Sequence, residues 1–359
     1  MCDESADLDR LISPERVAVE TERLLGFRCP SVVPIACGQN PNSRLARVDL
    51  SPGAPYPAVV YKVFDDASGY LRETRNLRFI SHLGDFAPRL LAQDDGNQAL
   101  VMEFVQGPQV YELPKERILA VVEAAMCMFA ELHCLAASHI EDLVAAYDGN
   151  PPRWEPPDYA VLATAWSRSV SGAASRRGIS VPMRELGLLV EFLRSTKDSW
   201  LTLALFDINP FNLIWCGDRV RLVDIGACVV GPAWLDVGFV RRGIGMTESE
   251  ILAGYRFYLE SRCRLGNPVT KEEQFLKAAD YWEVASALQA AEDFQAKSGG
   301  AGHFKPGFPQ HLLQHARFRD DVLADVWAIS HRRPELAGIA RAMEQLLPAD
   351  ICQERACRG

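Results

Sequence analysis

Two short stretches near the middle of the chain set carboxylates among residues that belong in a core. The first is Leu205-Phe-Asp-Ile-Asn-Pro-Phe-Asn-Leu-Ile-Trp215 and the second is Arg221-Leu-Val-Asp-Ile-Gly226. An aspartate in an apolar string is costly to bury unless it finds a partner or a cation. Asp207 is followed five residues later by Asn212, and Asp224 comes twelve residues after that. Turns alone would account for one such Asp-Asn pair. They do not account for the ordered set, which continues to Asp236 in Gly231-Pro-Ala-Trp-Leu-Asp236.

A D-x-x-x-x-N loop followed by a second Asp is the arrangement a phosphoryl-transfer site uses. One Asp takes the proton of the acceptor hydroxyl, while the Asn and the second Asp hold Mg²⁺ over the phosphates. The segment resembles the catalytic and metal-binding loops of the protein-kinase-like superfamily, and most closely its aminoglycoside phosphotransferase branch. There the loop usually reads H-G-D-x-x-P-x-N; here it reads Leu205-Phe206-Asp207-Ile208-Asn209-Pro210-Phe211-Asn212. Gly231-Pro232 through Asp236 resembles the G-P-x-x-x-D element of the same branch, whose Asp usually braces the catalytic loop. The resemblance implies Asp207 as catalytic residue, Asn212 and Asp224 as metal ligands and Asp236 as structural support.

It also implies a lysine on an upstream strand and a glutamate on the next helix. Lys62 lies in Val59-Val-Tyr-Lys-Val-Phe64. Strand alternation puts it on one face with Val60 and Phe64, where an ammonium needs an anionic partner. Glu73 shares a helical face with Leu77 and Ile80 and needs a partner too. Each lone charge answers the other, and in such kinases this pair places the lysine on the nucleotide phosphates. Leu100-Val-Met-Glu-Phe-Val-Gln-Gly107 fits the hinge. The resemblance implies that backbone groups of Glu103, Phe104 and Val105 hold the adenine. His133, in Glu131-Leu-His-Cys134, reads as a structural histidine in an apolar helix.

The pattern along the chain fits that family. Ala46–Leu50, Ala58–Phe64, Pro88–Ala92 and Ala99–Phe104 read as strands, with one clear helix at Tyr70–Leu83 in the first hundred residues. After Gly107-Pro108 the chain is mainly helical, with short apolar blocks at 201–206, 212–215 and 220–223. Segregated strands and helices indicate an α+β, bilobal protein-kinase-like fold. The expected division is a nucleotide-binding lobe over 1–106 and a catalytic, substrate-binding helical lobe over 107–359.

Two features depart from the family pattern. Leu205 and Phe206 replace the usual His-Gly, and Gly38-Gln-Asn-Pro-Asn-Ser-Arg-Leu-Ala46 offers one glycine where a glycine-rich phosphate loop is expected. They keep open a catalytically degraded nucleotide-binding relative, and nucleotidyl transfer on the same fold is a further alternative. The leading expectation is an ATP- or GTP- and Mg²⁺-dependent phosphotransferase acting on a hydroxyl of a small molecule: an antibiotic, amino sugar, nucleoside or related metabolite. Only eight residues separate Gly226 from Leu235, too few for a peptide-docking segment. Trp154–Trp166, Asp280 with Glu283, and Glu292-Asp293 are candidate acceptor contacts, suited to a cationic ligand; an ordinary solvated helix face is the alternative for these acids.

The net charge of -9 argues against a nucleic-acid partner. No membrane span is expected, because the apolar run Ile118–Phe129 is short and interrupted by Glu123. Ten irregularly spaced cysteines, with no paired zinc-ligand spacing, read as reduced thiols in a cytoplasmic protein.

Overall fold

The computed structural model describes residues 13–35, 43–196, 200–206, 208, 210–239, 246–299 and 309–347. In chain order the elements begin with α1 (Pro14–Leu25), β1 (Ser31–Ile35), β2 (Ser43–Asp49), β3 (Ala58–Phe64), α2 (Ala67–Leu83), β4 (Leu90–Asp94) and β5 (Ala99–Glu103). Next come α3 (Ile118–Ser138), α4 (Ile140–Ala146), α5 (Pro156–Arg176), α6 (Met183–Ser195) and the short strands β6 (Leu201–Ala204), β7 (Leu213–Trp215), β8 (Val220–Leu222) and β9 (Val229–Pro232). The chain continues with α7 (Trp234–Phe239), α8 (Glu248–Arg264), α9 (Glu272–Gly299), α10 (Pro309–Arg332) and α11 (Ala337–Leu346). This is an α+β protein with two compact units. One comprises Met1–Pro108, Glu141–Pro151 and Asn212–Cys228; the other comprises Gln109–Ile140, Pro152–Phe211 and Val229–Gly359. The first unit thus takes in two segments that a single cut at 106/107 assigns to the second lobe.

In the first unit, β1 to β5 form one antiparallel sheet in the order β1-β2-β3-β5-β4. Val59, Tyr61 and Val63 of β3 join Ala46, Val48, Val101 and Val17 of α1 in one core. Alternation then sends Val60, Lys62 and Phe64 to the other face. Helix α2 starts at Asp66, whose carboxylate accepts the Gly69 N–H at 2.6 Å. Its buried stripe holds Glu73, Asn76, Leu77 and Ile80. The expectation of one helix in the first hundred residues needs correcting, because α1 is a second. Its signals are local: the Ser13 hydroxyl accepts the Arg16 N–H, Pro14 takes the first helical position, and Gly26 closes the helix at φ 76°.

In the second unit, the chain from 118 to 138 is one helix of 21 residues. Among the described residues, Lys115–Ser138 is the one segment long and apolar enough to cross a membrane by length and composition, and most of it is buried inside the protein. Strands β6 and β9 pair antiparallel, with Leu203 opposite Val230. Strand β6 leads into Leu205-Phe206 and strand β9 leads into Ala233–Asp236.

Candidate active site

Burial first decides the chemistry of the β3–α2 face. The Lys62 side chain is 2% exposed and that of Glu73 is 3% exposed. Lys62 Nζ donates to Glu73 Oε2 at 2.6 Å and to Asp224 Oδ1 at 2.8 Å. Burial pulls the ammonium pKa down, but the two carboxylates outweigh it and hold Lys62 charged, with its pKa raised. One positive charge is shared between two carboxylates. Asp224 is the outer one, with a side chain 38% exposed. It sits at φ 56°, a left-handed backbone that Asp tolerates better than most residues.

Helix α2 contributes a second contact, one turn beyond Glu73. Asn76 Nδ2 donates to the Ile225 carbonyl at 2.8 Å, and its Oδ1 accepts the Tyr147 hydroxyl at 2.5 Å. Asn76 is fully buried. The loop that carries Asp224 is therefore tied at two consecutive residues, Asp224 and Ile225, by β3 and α2. The sequence reading missed Asn76; its spacing of three from Glu73 on the same stripe was the available signal.

Asn212 and Asp224 flank the β7–β8 hairpin, where the Val223 N–H donates to the Asn212 carbonyl at 2.9 Å. The hairpin is anchored by Arg221, which is also buried. Its Nη1 and Nη2 donate to Glu103 Oε1 and Oε2 at 2.7 and 2.9 Å, and Nη2 also donates to the Ala87 carbonyl at 2.7 Å. Glu103 ends β5, so its side chain serves this clamp, while Phe104 and Val105 lead out of the strand. Gly107 has φ 151°, and a Cβ there would fall 2.2 Å from the Trp215 carbonyl oxygen. Only glycine lets the chain leaving β5 pass so close to β7.

In the second unit Asp236 is completely buried and accepts several hydrogen bonds. Leu205 N–H reaches Oδ2 at 2.8 Å, Phe206 N–H reaches Oδ1 at 3.1 Å, and His133 Nε2 lies 2.9 Å from Oδ2. On its other side, His133 Nδ1 lies 2.9 Å from the Tyr258 hydroxyl, which accepts from Arg262 at 3.0 Å. Burial lowers the His133 pKa, with Arg262 adding to it and Asp236 opposing. A neutral His133 can then donate through Nε2 and accept through Nδ1. Phe206 stands at φ 63°, a left-handed backbone rare for a bulky side chain and worth about 1–3 kcal/mol of strain. The two amide bonds to Asp236 hold the backbone at this point.

Asp207 and residues 38–42 of the phosphate-loop candidate lie outside the described residues. The acidic candidates on α9 take an unexpected place. Asp280 is fully buried, bonded to Arg332, to Arg333 Nε at 3.0 Å and to the Tyr255 hydroxyl at 2.5 Å. Glu283 is 1% exposed. Neither belongs to a solvated face. The side chains of Glu292 and Asp293 fall outside those described. No cluster of three or more His, Cys, Asp or Glu among the described residues could hold a metal by itself. Asp224 offers a hard carboxylate oxygen and Asn212 an amide oxygen, a donor set suited to Mg²⁺ that keeps phosphate and water ligands.

The fold is shared with known phosphotransferases. A spectinomycin phosphotransferase, solved in complex with ADP and spectinomycin, superposes with a TM-score of 0.59 at 10% identity over 89% of this chain and 99% of that one. A choline/ethanolamine kinase family protein from Mesorhizobium loti gives 0.55 at 14% identity, covering 95% and 98%. A macrolide 2'-phosphotransferase from Brachybacterium faecium gives 0.54 at 13% identity, covering 89% and 97%. No curated protein matches the sequence. The family model for phosphotransferase enzymes matches residues 48–265, more than half of the chain. By that match the chain belongs to the phosphotransferase enzyme family, and its α+β architecture is the protein-kinase-like one.

Proposed function

We propose that this phosphotransferase uses ATP or GTP with Mg²⁺ to phosphorylate a hydroxyl of a small molecule. The observation that carries the reading is the sharing of one buried ammonium, Lys62, between Glu73 and the outward-facing Asp224. An excess of negative charge at Asp224 suits a divalent cation, and an ammonium fixed from behind suits phosphate oxygens. Asn212 and Asp224 would hold Mg²⁺, which when bound neutralises charge on the phosphates. Lys62 steadies the nucleotide, and the backbone of Glu103, Phe104 and Val105 receives the base.

Asp207 orients the acceptor hydroxyl and takes its proton as the oxygen bonds to the terminal phosphorus. The bridging P–O bond breaks and the nucleoside diphosphate leaves. Most of the rate enhancement in such a site comes from positioning and charge neutralisation. The small-molecule hydroxyl acceptor is supported by the names of the structural neighbours, which act on spectinomycin, macrolides and choline or ethanolamine. The net charge of -9 disfavours nucleic acid as a partner. The unbridged described cysteines Cys29, Cys127, Cys134, Cys216, Cys228 and Cys263 favour a cytoplasmic location, with no membrane partner.

A mass-spectrometric screen tests the reading. The protein is incubated with ATP, GTP and Mg²⁺ against pooled aminoglycosides, nucleosides, amino alcohols and sugars. The expected product is heavier than an acceptor by one phosphate, about 80 Da, and is lost with Asp207→Ala. A product heavier by a whole nucleotidyl group, or one formed equally by the variant, would reject it.

A further inference from the structure

We infer that Trp154 and Phe206 form an aromatic face that binds the acceptor, and that the acceptor is an alcohol carrying a flat or apolar ring beside its hydroxyl. This deepens the phosphotransferase reading and rests on it for the word acceptor. In the sequence Phe206 immediately precedes Asp207, the residue assigned to the hydroxyl.

Three observations carry the inference. The first is strain. A phenylalanine is kept at φ 63°, where glycine would sit freely. Backbone strain of this kind collects at binding and catalytic positions. The second is pre-organisation. The ring centroids of Trp154 and Phe206 are 4.1 Å apart, and both residues are only half-buried. Behind them the buried Trp282 lies 6.0 Å from Phe206 and 6.5 Å, edge-on, from Trp154. The Trp154 backbone is fixed on both sides. Its N–H donates to the Val230 carbonyl at 2.9 Å, and its carbonyl accepts the Tyr159 hydroxyl. A rigid aromatic pair of this kind binds ring faces at little entropic cost.

The third observation concerns charge. A polycationic acceptor would need several available carboxylates. Asp280 is already neutralised by Arg332 and Arg333 in the interior. The acids that flank Trp154 in sequence, Glu155 and Asp158, cap α5 through a reciprocal pair of side-chain to backbone bonds. Asp280, Glu155 and Asp158 are thus held by partners within the protein, and ring contact is the recognition that Trp154 and Phe206 themselves supply.

The test is equilibrium binding without nucleotide, followed by saturation-transfer NMR. The probes are phenyl glycosides and aromatic diols in one pool, with aminoglycosides and choline in another. The wild type should bind members of the first pool through their ring protons. Trp154→Leu should weaken that binding about tenfold, and Trp154→Phe should restore most of it with unchanged melting temperature. Binding confined to aminoglycosides or choline would overturn the inference, as would ring-alcohol binding equal in Trp154→Leu, or no binding from either pool. Phosphate transfer and nucleotide binding are measured separately. Ring alcohols held through Trp154 but never phosphorylated would reject the phosphotransferase reading and leave the binding face standing.

Discussion

The Nζ of Lys62 donates to Asp224 at 2.8 Å across 162 residues of sequence. The same ammonium bonds Glu73, only eleven residues away, at 2.6 Å. One side chain thus joins a strand, the next helix and the loop that carries the proposed metal ligand, all within one compact unit. The arrangement ties the conformation of Asp224 to the packing of α2. It also leaves Asp224 as the carboxylate with access to solvent.

Removing Glu73 should therefore cost more than a surface ion pair would. Glu73→Ala leaves a buried ammonium with only the half-exposed Asp224, and destabilisation of up to about 3–5 kcal/mol is expected. Glu73→Gln keeps a hydrogen-bond acceptor and should cost less, while still weakening nucleotide binding. Urea unfolding of the two variants, read beside nucleotide titration, checks the order.

The brace around Asp236 gives a second prediction. Asp236→Ala strips the acceptor from the amides of Leu205 and Phe206 and from His133. Each buried donor left alone costs about 1–3 kcal/mol. The variant should lose turnover while keeping nucleotide affinity, because Lys62 and Glu73 belong to the other unit. Parallel loss of both would contradict the division of roles.

His133 should confer acid sensitivity. Its folded-state pKa is lowered, so its contribution to stability is complete above the unfolded value of about 6.5. That contribution is lost as the pH falls from there through the folded value, since the unfolded chain binds the proton first. Asp236, Tyr258 and Arg262 face the ring. His133→Gln can still donate to Asp236 and accept from Tyr258 without titrating. Its urea midpoint should fall less than that of the wild type between pH 7.5 and pH 5.5.

Arg221 should behave as a positioning residue. Lysine cannot reproduce its paired bonds to Glu103. Arg221→Lys is expected to lower stability by about 1–3 kcal/mol and to raise the nucleotide KM several-fold more than it lowers kcat. Steady-state kinetics with varied nucleotide separate the two effects.

Much of the Lys62–Glu73 arrangement was legible in the sequence because each charge interrupted an apolar periodic face. Burial of a charge is a local signal, and the only nearby opposite charge on a facing stripe answers it. Strand β3 and most of helix α2 were read from their periodic patterns, with turn residues marking the ends of the strand. Tyr147 and Arg221 were not legible, and Asn76 showed only its place on the Glu73 stripe. Their roles come from tertiary bonds to Ile225, to each other and to Glu103, and a polar residue on a helix or edge strand carries no sign of such partners. Asp280 misled in the opposite sense. An acid beside aromatics suggested a ligand or a solvated face, whereas two arginines more than fifty residues further along bury it. Helix α1 was missed although its Ser13-Pro14 start and Gly26 stop are local. Charged residues punctuate its short apolar pattern, and only Val17 and Thr21 are buried.

The most direct test of the central claim compares wild type with Asp207→Ala in single-turnover phosphate transfer, with nucleotide binding measured on the same samples. The account predicts that the variant binds Mg²⁺-nucleotide as the wild type does and that transfer falls by about 10²–10⁴-fold. Transfer at the wild-type rate in Asp207→Ala would contradict it.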